Sequence, residues 1–337
     1  MPLIDYILPH RSVSIIGMAK NTGKTVCLNY LLSELKRLGK IVAVTSVGID
    51  GEKTDLVTHT EKPEIELAEK SIFVTTEYHY RQKLLTSNIL DILENSTSLG
   101  RLVTAQVLIP GKVILSGPST SSGVRQFVEM SGGYGADISI VDGALSRKSH
   151  ASPLLTDGLV LAVGTALAPD LNSIVNKTSA LHELMELPEY QVAFSDSLMQ
   201  EEKGIFAVHE DGYVSLDIPS SLLTEKYRDQ LFSSGTVFFV SGILTDMMLN
   251  FLKQQPEIKD TVVIVKDFTK VFVTPMALRL FQSKGGELYV LKRPKLLAVT
   301  VNPVAPSGFK MPSETLKEAM RAVFNVPVYD VVSDTNI

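Results

Sequence analysis

Cysteine is almost absent from this sequence, and its scarcity excludes several classes of protein. The 337 residues include one cysteine, Cys27, so the chain can hold neither an internal disulfide framework nor a cysteine-rich zinc site. Its six histidines show no metal-binding spacing such as His-Glu-x-x-His. A Gly-x-Ser-x-Gly nucleophile motif is also absent.

An excess of basic residues and long apolar runs are missing as well. The chain has 32 Lys and Arg against 37 Asp and Glu, a net charge of −5, which argues against a general nucleic-acid binder. The first residues, Met1–Asp5, lack the basic start and apolar run of a signal peptide. The longest strongly apolar stretch, Leu159–Ala168, is far shorter than the roughly 20 residues that span a bilayer. We therefore expect a soluble cytoplasmic protein with neither a membrane nor a nucleic acid as partner.

The first fifty residues alternate between strand and helix patterns. Val13–Ile16 is a short β run, and a helix with apolar residues at helical spacing follows from Thr25 to Leu38. Ile41–Thr45 is a second buried strand. This strand–helix–strand order predicts a βαβ unit and hence a parallel sheet.

The rest of the chain continues this pattern with weaker signals. We predict a loop over 52–70, a helix over Glu77–Glu94, and a hairpin of Leu102–Ile109 with Lys112–Leu115 that turns at Pro110-Gly111. Further predicted strands are Ala136–Val141, Leu159–Val163, Val237–Val240, Val262–Lys266, Leu288–Leu291 and Leu297–Val301, with a hairpin over Gly204–Leu216 and helices near 244–254, 274–284 and 313–323. At about 150 residues per domain the length suggests two domains, which we place at 1–190 and 191–337. Alternatively, the second part completes the first sheet.

The segment Gly17-Met18-Ala19-Lys20-Asn21-Thr22-Gly23-Lys24-Thr25 leaves a strand and opens a helix, as a phosphate-binding Walker A loop does. Its small residues allow backbone N–H groups to converge on phosphate, and the helix N-terminus favours an anion. Gly17, Asn21, Thr22 and Gly23 would line that loop, Lys24 would neutralise the β- and γ-phosphates, and the Thr25 hydroxyl would bind Mg²⁺. The strict spacing would place glycine where Met18 stands, so the loop is a variant. With the parallel sheet, it predicts an α/β, three-layer fold of the P-loop NTPase type, with an α/β C-terminal half.

Lys20 adds a second cation to this loop. The variant loops of dimerising ATPases such as MinD and nitrogenase iron protein carry an extra lysine that contacts phosphate across a dimer. There the extra lysine lies five residues before the main lysine, whereas Lys20 lies four before Lys24. Lys20 is thus a candidate phosphate ligand in a homodimer, or a solvated loop lysine.

Two acidic residues follow predicted strands and are candidates for the metal side of the site. Asp142 ends the apolar run Ile138–Val141 in the manner of a Walker B acid, although it could instead cap the next turn. Asp50 lies just past the strand that follows the first helix, at the edge that faces ligands in open α/β sheets. It is a candidate second Mg²⁺ ligand or water-orienting carboxylate; as part of Asp50-Gly51 it could equally be a turn residue.

Three further segments could contact a nucleotide or substrate. Arg147 or Lys148, after the Walker B strand, could stabilise charge on the γ-phosphate, as an arginine finger does, or could simply be solvated. The hydroxyl-rich segment Gly117–Gly123 precedes a helix, so capping explains it as well as anion contact does. Asn302 ends a late apolar strand and could hydrogen-bond an adenine edge or form a turn before Pro303. Cys27, on the first helix, is better explained as a buried small side chain than as a nucleophile.

Taken together, these motifs resemble the smaller P-loop subunit of the lysine 5,6-aminomutase reactivase. The segments that carry the resemblance are the loop at 17–25, Thr45–Glu52, Gly117–Thr120, and Val141–Arg147 with Ala151–Pro153. The resemblance covers roughly residues 5–170. More distantly the chain resembles dethiobiotin synthetase and the molybdopterin-guanine-dinucleotide accessory protein.

This resemblance implies a repair factor that uses ATP and Mg²⁺ to exchange damaged cobalamin on an adenosylcobalamin-dependent aminomutase. It implies a larger, MutS-like ATPase subunit and the aminomutase as partners, with Lys24, Thr25 and Asp142 holding MgATP and Asp50 and Arg147 at the nucleotide edge. The Asp-x-His-x-x-Gly pattern of cobalamin-binding modules is absent, which fits a protein that acts on the holoenzyme. The alternatives are a dethiobiotin synthetase-like ligase or kinase acting on a metabolite, with Ser119, Thr120 and Lys148 near its substrate, and a nucleotide-stabilised scaffold without turnover.

Overall fold

A computed structural model describes residues 2–48, 65–144 and 156–334. The helices in these ranges are α1 (Leu3–Ile7), α2 (Lys24–Arg37), α3 (Glu77–Gln82), α4 (Ser121–Gly133), α5 (Leu171–Met185), α6 (Ser195–Gln200), α7 (Arg228–Leu231), α8 (Asp246–Leu252), α9 (Pro275–Ser283) and α10 (Ser313–Val323). The strands are β1 (Ser12–Gly17), β2 (Val42–Ser46), β3 (Ile65–Leu67), β4 (Ile72–Thr76), β5 (Leu84–Thr97), β6 (Gly100–Val113), β7 (Ile138–Ala144), β8 (Gly158–Gly164), β9 (Ile205–His209), β10 (Gly212–Ile218), β11 (Val237–Val240), β12 (Leu244–Thr245), β13 (Val262–Val265), β14 (Val271–Phe272), β15 (Glu287–Val290), β16 (Leu296–Asn302) and β17 (Val328–Tyr329). The chain is thus an α/β protein, as predicted.

The chain divides into two units, one of Met1–Thr178 with Lys295–Ile337 and one of Ser179–Pro294. This division differs from the predicted boundary at 190. β16 and β17 pair in parallel next to β8, so the last part of the chain returns to the first sheet. The alternative that the second part completes the first sheet therefore applies from Lys295 onward.

The first unit is built on a ten-stranded mixed sheet in the order β17-β16-β8-β1-β7-β2-β4-β6-β3, with β5 also paired to β6. The neighbours from β17 to β4 run parallel, whereas β3, β4 and β5 run antiparallel to β6. Every residue of β1 is buried, as expected of a strand covered on both faces. α2 packs on one face through Leu28, Leu31 and Leu35, and α4 supplies Val124 and Phe127 to clusters that include Val47, Val141 and Ile72. This arrangement is compatible with a three-layer α/β fold.

The second unit has a five-stranded sheet in the order β10-β9-β11-β13-β15. Its side chains alternate between two cores, as the period of two residues in a strand requires. Phe238 and Val240 of β11 pack with α8 and α9, whereas Phe239 packs with Leu198 of α6. The hairpin and the strand and helix positions predicted from residue 204 to residue 290 lie within a few residues of the observed ones.

The helix predicted over Glu77–Glu94 is wrong beyond its first six residues. α3 ends at Gln82, and β5 begins at Leu84. Leu85, Leu90 and Leu93 pack toward the cores, and their spacings of five and three residues imitate a helical stripe. The cause is a series of register shifts in the pairing of β5 with β6, one of them between Ile89 and Asp91, because each bulge interrupts the alternation that identifies a strand.

The hairpin predicted to turn at Pro110-Gly111 is also wrong. β6 continues through both residues, and the turn lies instead between β5 and β6. The pairing shifts between Leu84 and Thr86, whose partners are Lys112 and Ile109, so Pro110 and Gly111 occupy an irregularity in the ladder. A Cβ at residue 111 would lie 2.0 Å from the Leu84 carbonyl oxygen, which explains the glycine there.

Two smaller findings complete the fold. Of the loop predicted over 52–70, residues 49–64 lie outside the described part of the chain, and Ile65–Leu67 form β3. No helix in the described residues is long and apolar enough to cross a bilayer.

Candidate functional site

The loop between β1 and α2 is held in a tight, partly left-handed conformation. Asn21 has φ +60° and Gly23 has φ +94°. Thr22 is buried, and its hydroxyl donates to the Ala19 carbonyl oxygen at 3.0 Å. At Gly17 an added Cβ would lie 2.8 Å from that hydroxyl oxygen. Glycine is therefore required at position 17 because a side chain would collide with Thr22, and it is favoured at position 23 because the backbone there is left-handed.

The loop ends at the N-terminus of α2. Gly23 is the N-cap, no side-chain cap bond is found there among the described residues, and the first turn has no acidic residue. The first N–H groups of a helix lack partners within the helix and carry a partial positive charge. This end of α2 is therefore suited to an anion supplied from outside the helix.

Lys24 and Asp142 come together although 118 positions separate them in the sequence. β7 pairs with β1 in parallel, with Asp142 opposite Ile15, so both residues lie at the carboxyl edge of the sheet. The Lys24 Nζ lies 2.9 Å from Asp142 Oδ1, and the two side chains are 19% and 12% exposed. The contact is an ion pair without hydrogen-bond geometry, since Oδ1 is buried and has no hydrogen-bond partner among the described residues.

Two of the residues at this edge have the donor chemistry that a magnesium ion accepts. Asp142 presents a buried oxygen that accepts no hydrogen bond from the described residues, and Thr25 is half-buried on the first turn of α2; carboxylate and hydroxyl oxygens are ligands that Mg²⁺ accepts. Groups of three or more His, Cys, Asp or Glu that could hold a metal do not occur in the described ranges. Asp50, the other predicted metal ligand and catalytic carboxylate, lies outside the described residues, as do Arg147 and Lys148.

The segment Gly117–Gly123 lies against the end of β2. Gly117 N–H donates to the Gly48 carbonyl, and Gly48 N–H donates to the Pro118 carbonyl, both at 3.0 Å. Thr120 caps α4, since its hydroxyl accepts from Gly123 N–H at 3.2 Å. Helix capping thus accounts for Thr120, while Ser119 is exposed.

Asn302 contacts the loop itself. Its Nδ2 donates to the Asn21 carbonyl oxygen at 3.2 Å, and its Oδ1 accepts from Val304 N–H at 3.2 Å. The predicted contact of this amide with an adenine remains untested. Lys20, the other loop cation, is exposed.

Gly164, at the end of β8, also contributes to the site, although the sequence patterns above did not single it out. A Cβ there would lie 3.0 Å from the Cα of Thr22 and 3.1 Å from the Asn302 carbonyl oxygen. Glycine is therefore required where β8, β16 and the loop meet. In the sequence, the feature that points to this position is a glycine directly after the apolar run Leu159–Val163.

Cys27 lies in surroundings that disfavour a thiolate nucleophile at neutral pH. It is fully buried on α2, and burial raises the pKa of its thiol to about 12. Because the thiolate is the reactive form, the protonated side chain acts as a small apolar group in the core.

Comparison with known proteins adds no relative. No protein-family model, no curated protein and no solved structure matches this chain.

Proposed function

We propose that this protein binds MgATP at the carboxyl edge of its first sheet and hydrolyses it slowly to drive a conformational change. The observation that carries the proposal is the convergence of three features: the folded loop at 17–23, the start of α2, which no side chain of the described ranges caps, and the Lys24–Asp142 ion pair at 2.9 Å. Each alone is common; together they provide N–H donors, a cation and a metal-side carboxylate at one edge.

The roles follow from the chemistry of each group. Backbone N–H groups of the loop and of the first turn of α2 would donate to the phosphates, and Lys24 would offset their charge. Thr25 and Asp142 would hold Mg²⁺, which supplies charge neutralisation at the β- and γ-phosphates. The Lys24–Asp142 pair supports this assignment, because each partner can leave the other for a phosphate and a metal ion without being left uncompensated.

We further propose that the ATP-dependent change serves the reactivation of an adenosylcobalamin-dependent aminomutase, together with a larger MutS-like ATPase subunit. Support for this part comes from the sequence resemblance over roughly residues 5–170. In this role, nucleotide binding or hydrolysis would shift the loops at the sheet edge between two arrangements.

A second candidate is an ATP-dependent ligase or kinase for a small metabolite. One observation favours it: a small, mainly apolar groove, partly open to solvent, lies between α4 and the sheet and is bordered by Pro118, Gly123 and Phe127. An apolar groove with a few polar groups is the usual form of a small-molecule site. A metabolite that releases ADP without any protein target would favour this candidate.

The binding proposal is tested by titrating the protein with MgATP in a calorimeter and measuring ADP release. We expect Lys24→Ala and Asp142→Ala to abolish turnover, and Lys24→Ala to weaken binding by at least tenfold, since charge-assisted hydrogen bonds are among the stronger contacts. Lys36→Ala and Asp229→Ala, at exposed positions of α2 and α7, are matched controls that should retain both. If the unaltered protein binds no MgATP, the proposal fails.

The reactivation proposal is tested separately. An inactivated aminomutase is incubated with this protein, the partner subunit, MgATP and intact cofactor, and recovery of activity and release of damaged cobalamin are measured. We expect recovery to require ATP and to be lost with Lys24→Ala. ATP turnover that is indifferent to both proteins would contradict this role.

A further inference from the structure

Asn302 connects the last long strand of the first unit to the loop at 17–23. It ends β16, and both functional groups of its amide are engaged: Nδ2 with the carbonyl of Asn21 and Oδ1 with the N–H of Val304, each at 3.2 Å. Asn21 and Asn302 lie 281 positions apart in the sequence. The contact is therefore made only once β16 has joined the sheet.

The backbone around this contact is packed closely. A Cβ at position 23 would lie 2.8 Å from the Asn302 Cβ, and one at position 164 would lie 3.1 Å from the Asn302 carbonyl oxygen. The Thr165 hydroxyl also donates to that carbonyl, at 3.5 Å. Asn302 is thus held in place by β8 on one side and by the loop on the other.

The hydrogen bond to Asn21 determines the direction of a neighbouring N–H group. A trans peptide is planar, and its C=O and N–H point in opposite directions. Anchoring the Asn21 carbonyl to Asn302 therefore turns the N–H of Thr22 away from β16. It also supports the positive φ of Asn21, a conformation that a non-glycine residue retains only with support from its surroundings.

The same contacts leave the Asn302 amide poorly suited to reading a base. An asparagine that recognises adenine uses one donor and its carbonyl oxygen side by side. Here one N–H and the carbonyl oxygen are engaged by the protein's own backbone.

From this geometry we infer that Asn302 is a positioning residue, which holds the Asn21–Thr22 peptide in the orientation that receives a polyphosphate and does not select the base. This inference rests on the proposed function of the loop. It predicts that the effect of removing Asn302 is the same for every ligand that carries the phosphate chain, with or without a nucleoside.

The test compares MgATP, MgGTP and inorganic triphosphate with Mg²⁺ by calorimetric titration. Asn302→Ala should weaken all three by a common factor of about five, the usual consequence of losing one uncharged hydrogen bond. Asn302→Leu keeps nearly the same shape and adds no charge but has no donor for Asn21, so it should weaken all three at least as much. Val304→Ala, at an exposed neighbouring position, is the control and should change none of them.

The outcomes separate the possibilities. A loss confined to MgATP, with triphosphate unchanged, would show that Asn302 reads the base and would overturn the inference, as would the absence of any loss in both variants. Circular dichroism identifies a misfolded variant; if Asn302→Ala misfolds, the uncharged Asn302→Leu variant, which is close to asparagine in size, provides the decisive comparison. If the unaltered protein binds none of the three ligands, the proposed function fails before any variant is made.

Discussion

At the scale of single residues, Lys24 and Asp142 neutralise each other's charge when no ligand is bound. Their ion pair engages the lysine to which the proposed function assigns a phosphate. A phosphate ligand must therefore compete with Asp142 unless a metal ion engages the carboxylate. This competition makes the effect of Asp142 on affinity depend on magnesium.

We expect Asp142→Asn to act in opposite directions with and without magnesium. In EDTA the variant should bind ATP a few-fold more tightly, because the Lys24 ammonium is released from the carboxylate. With Mg²⁺ it should bind several-fold more weakly, because the amide is a poorer metal ligand. Titrations under both conditions, with Asp229→Asn as control, measure this; a change of the same sign in both would contradict the competition.

Cys27 gives a prediction about alkaline pH. Burial raises the pKa of its thiol from 9.0 to about 12, so between these values the unfolded chain releases a proton that the folded chain retains. The contribution of this group to the free energy of unfolding is thus present below about pH 9 and falls as pH rises further. The decline is at most about 1.4 kcal/mol per pH unit.

Denaturant titrations between pH 8 and pH 10.5 should therefore show a shallower decline for Cys27→Ala than for the unaltered protein. A thiol reagent should label the folded protein only through unfolding. Rapid labelling of the folded chain at pH 8 would contradict the burial of this residue.

At the scale of elements, the start of α2 depends on a glycine. Gly23 has φ +94°. A Cβ added at this position would lie 2.8 Å from the Asn302 Cβ. The left-handed conformation alone costs a non-glycine residue roughly 1–2 kcal/mol, and the contact with Asn302 adds to it.

We therefore expect Gly23→Ala to lower the free energy of unfolding by about 2 kcal/mol and to weaken ATP binding. Gly132→Ala, in the last turn of α4, has open space for its Cβ and should be neutral or stabilising. Chemical denaturation of both variants measures the difference, and equal effects would show that the loop tolerates a side chain at position 23.

β5 and β6 show where element prediction from sequence reaches its limit. Helix and strand propensity act locally, whereas the irregular pairing of these two strands is determined by the partner strand. The bulges hide the alternation of β5, and Pro110-Gly111 indicates a turn in sequence although it occupies a ladder irregularity. β1 and β8 were predictable because each is a short run buried along its whole length, and α2 and α10 because each keeps its apolar residues at helical spacing.

At the scale of the whole molecule, the second unit interrupts the first between Thr178 and Lys295. The proposed nucleotide residues in the described ranges all belong to the first unit, from Gly17 to Asn302. Nucleotide binding should therefore slow amide hydrogen exchange in the first unit.

We expect MgATP to slow hydrogen–deuterium exchange in peptides covering 17–28 and 299–304, since bound ligand stabilises the native state of its site. Peptides from β11 and β13 of the second unit should exchange unchanged. Protection confined to the second unit would place the nucleotide elsewhere; the Lys24→Ala variant, which should show no protection, is the control.

The sequence by itself determined the local patterns: the strand, loop and helix at 12–37, the buried strand before Asp142, and the glycines at 17 and 23. Tertiary structure alone decided that Lys24 meets Asp142, that Asn302 reaches the Asn21 carbonyl, and that Gly164 must lack a side chain. The reason is physical: periodicity and backbone preference act over a few residues, whereas these contacts depend on which strands become neighbours in the sheet, and that order is chosen by packing across more than a hundred intervening residues.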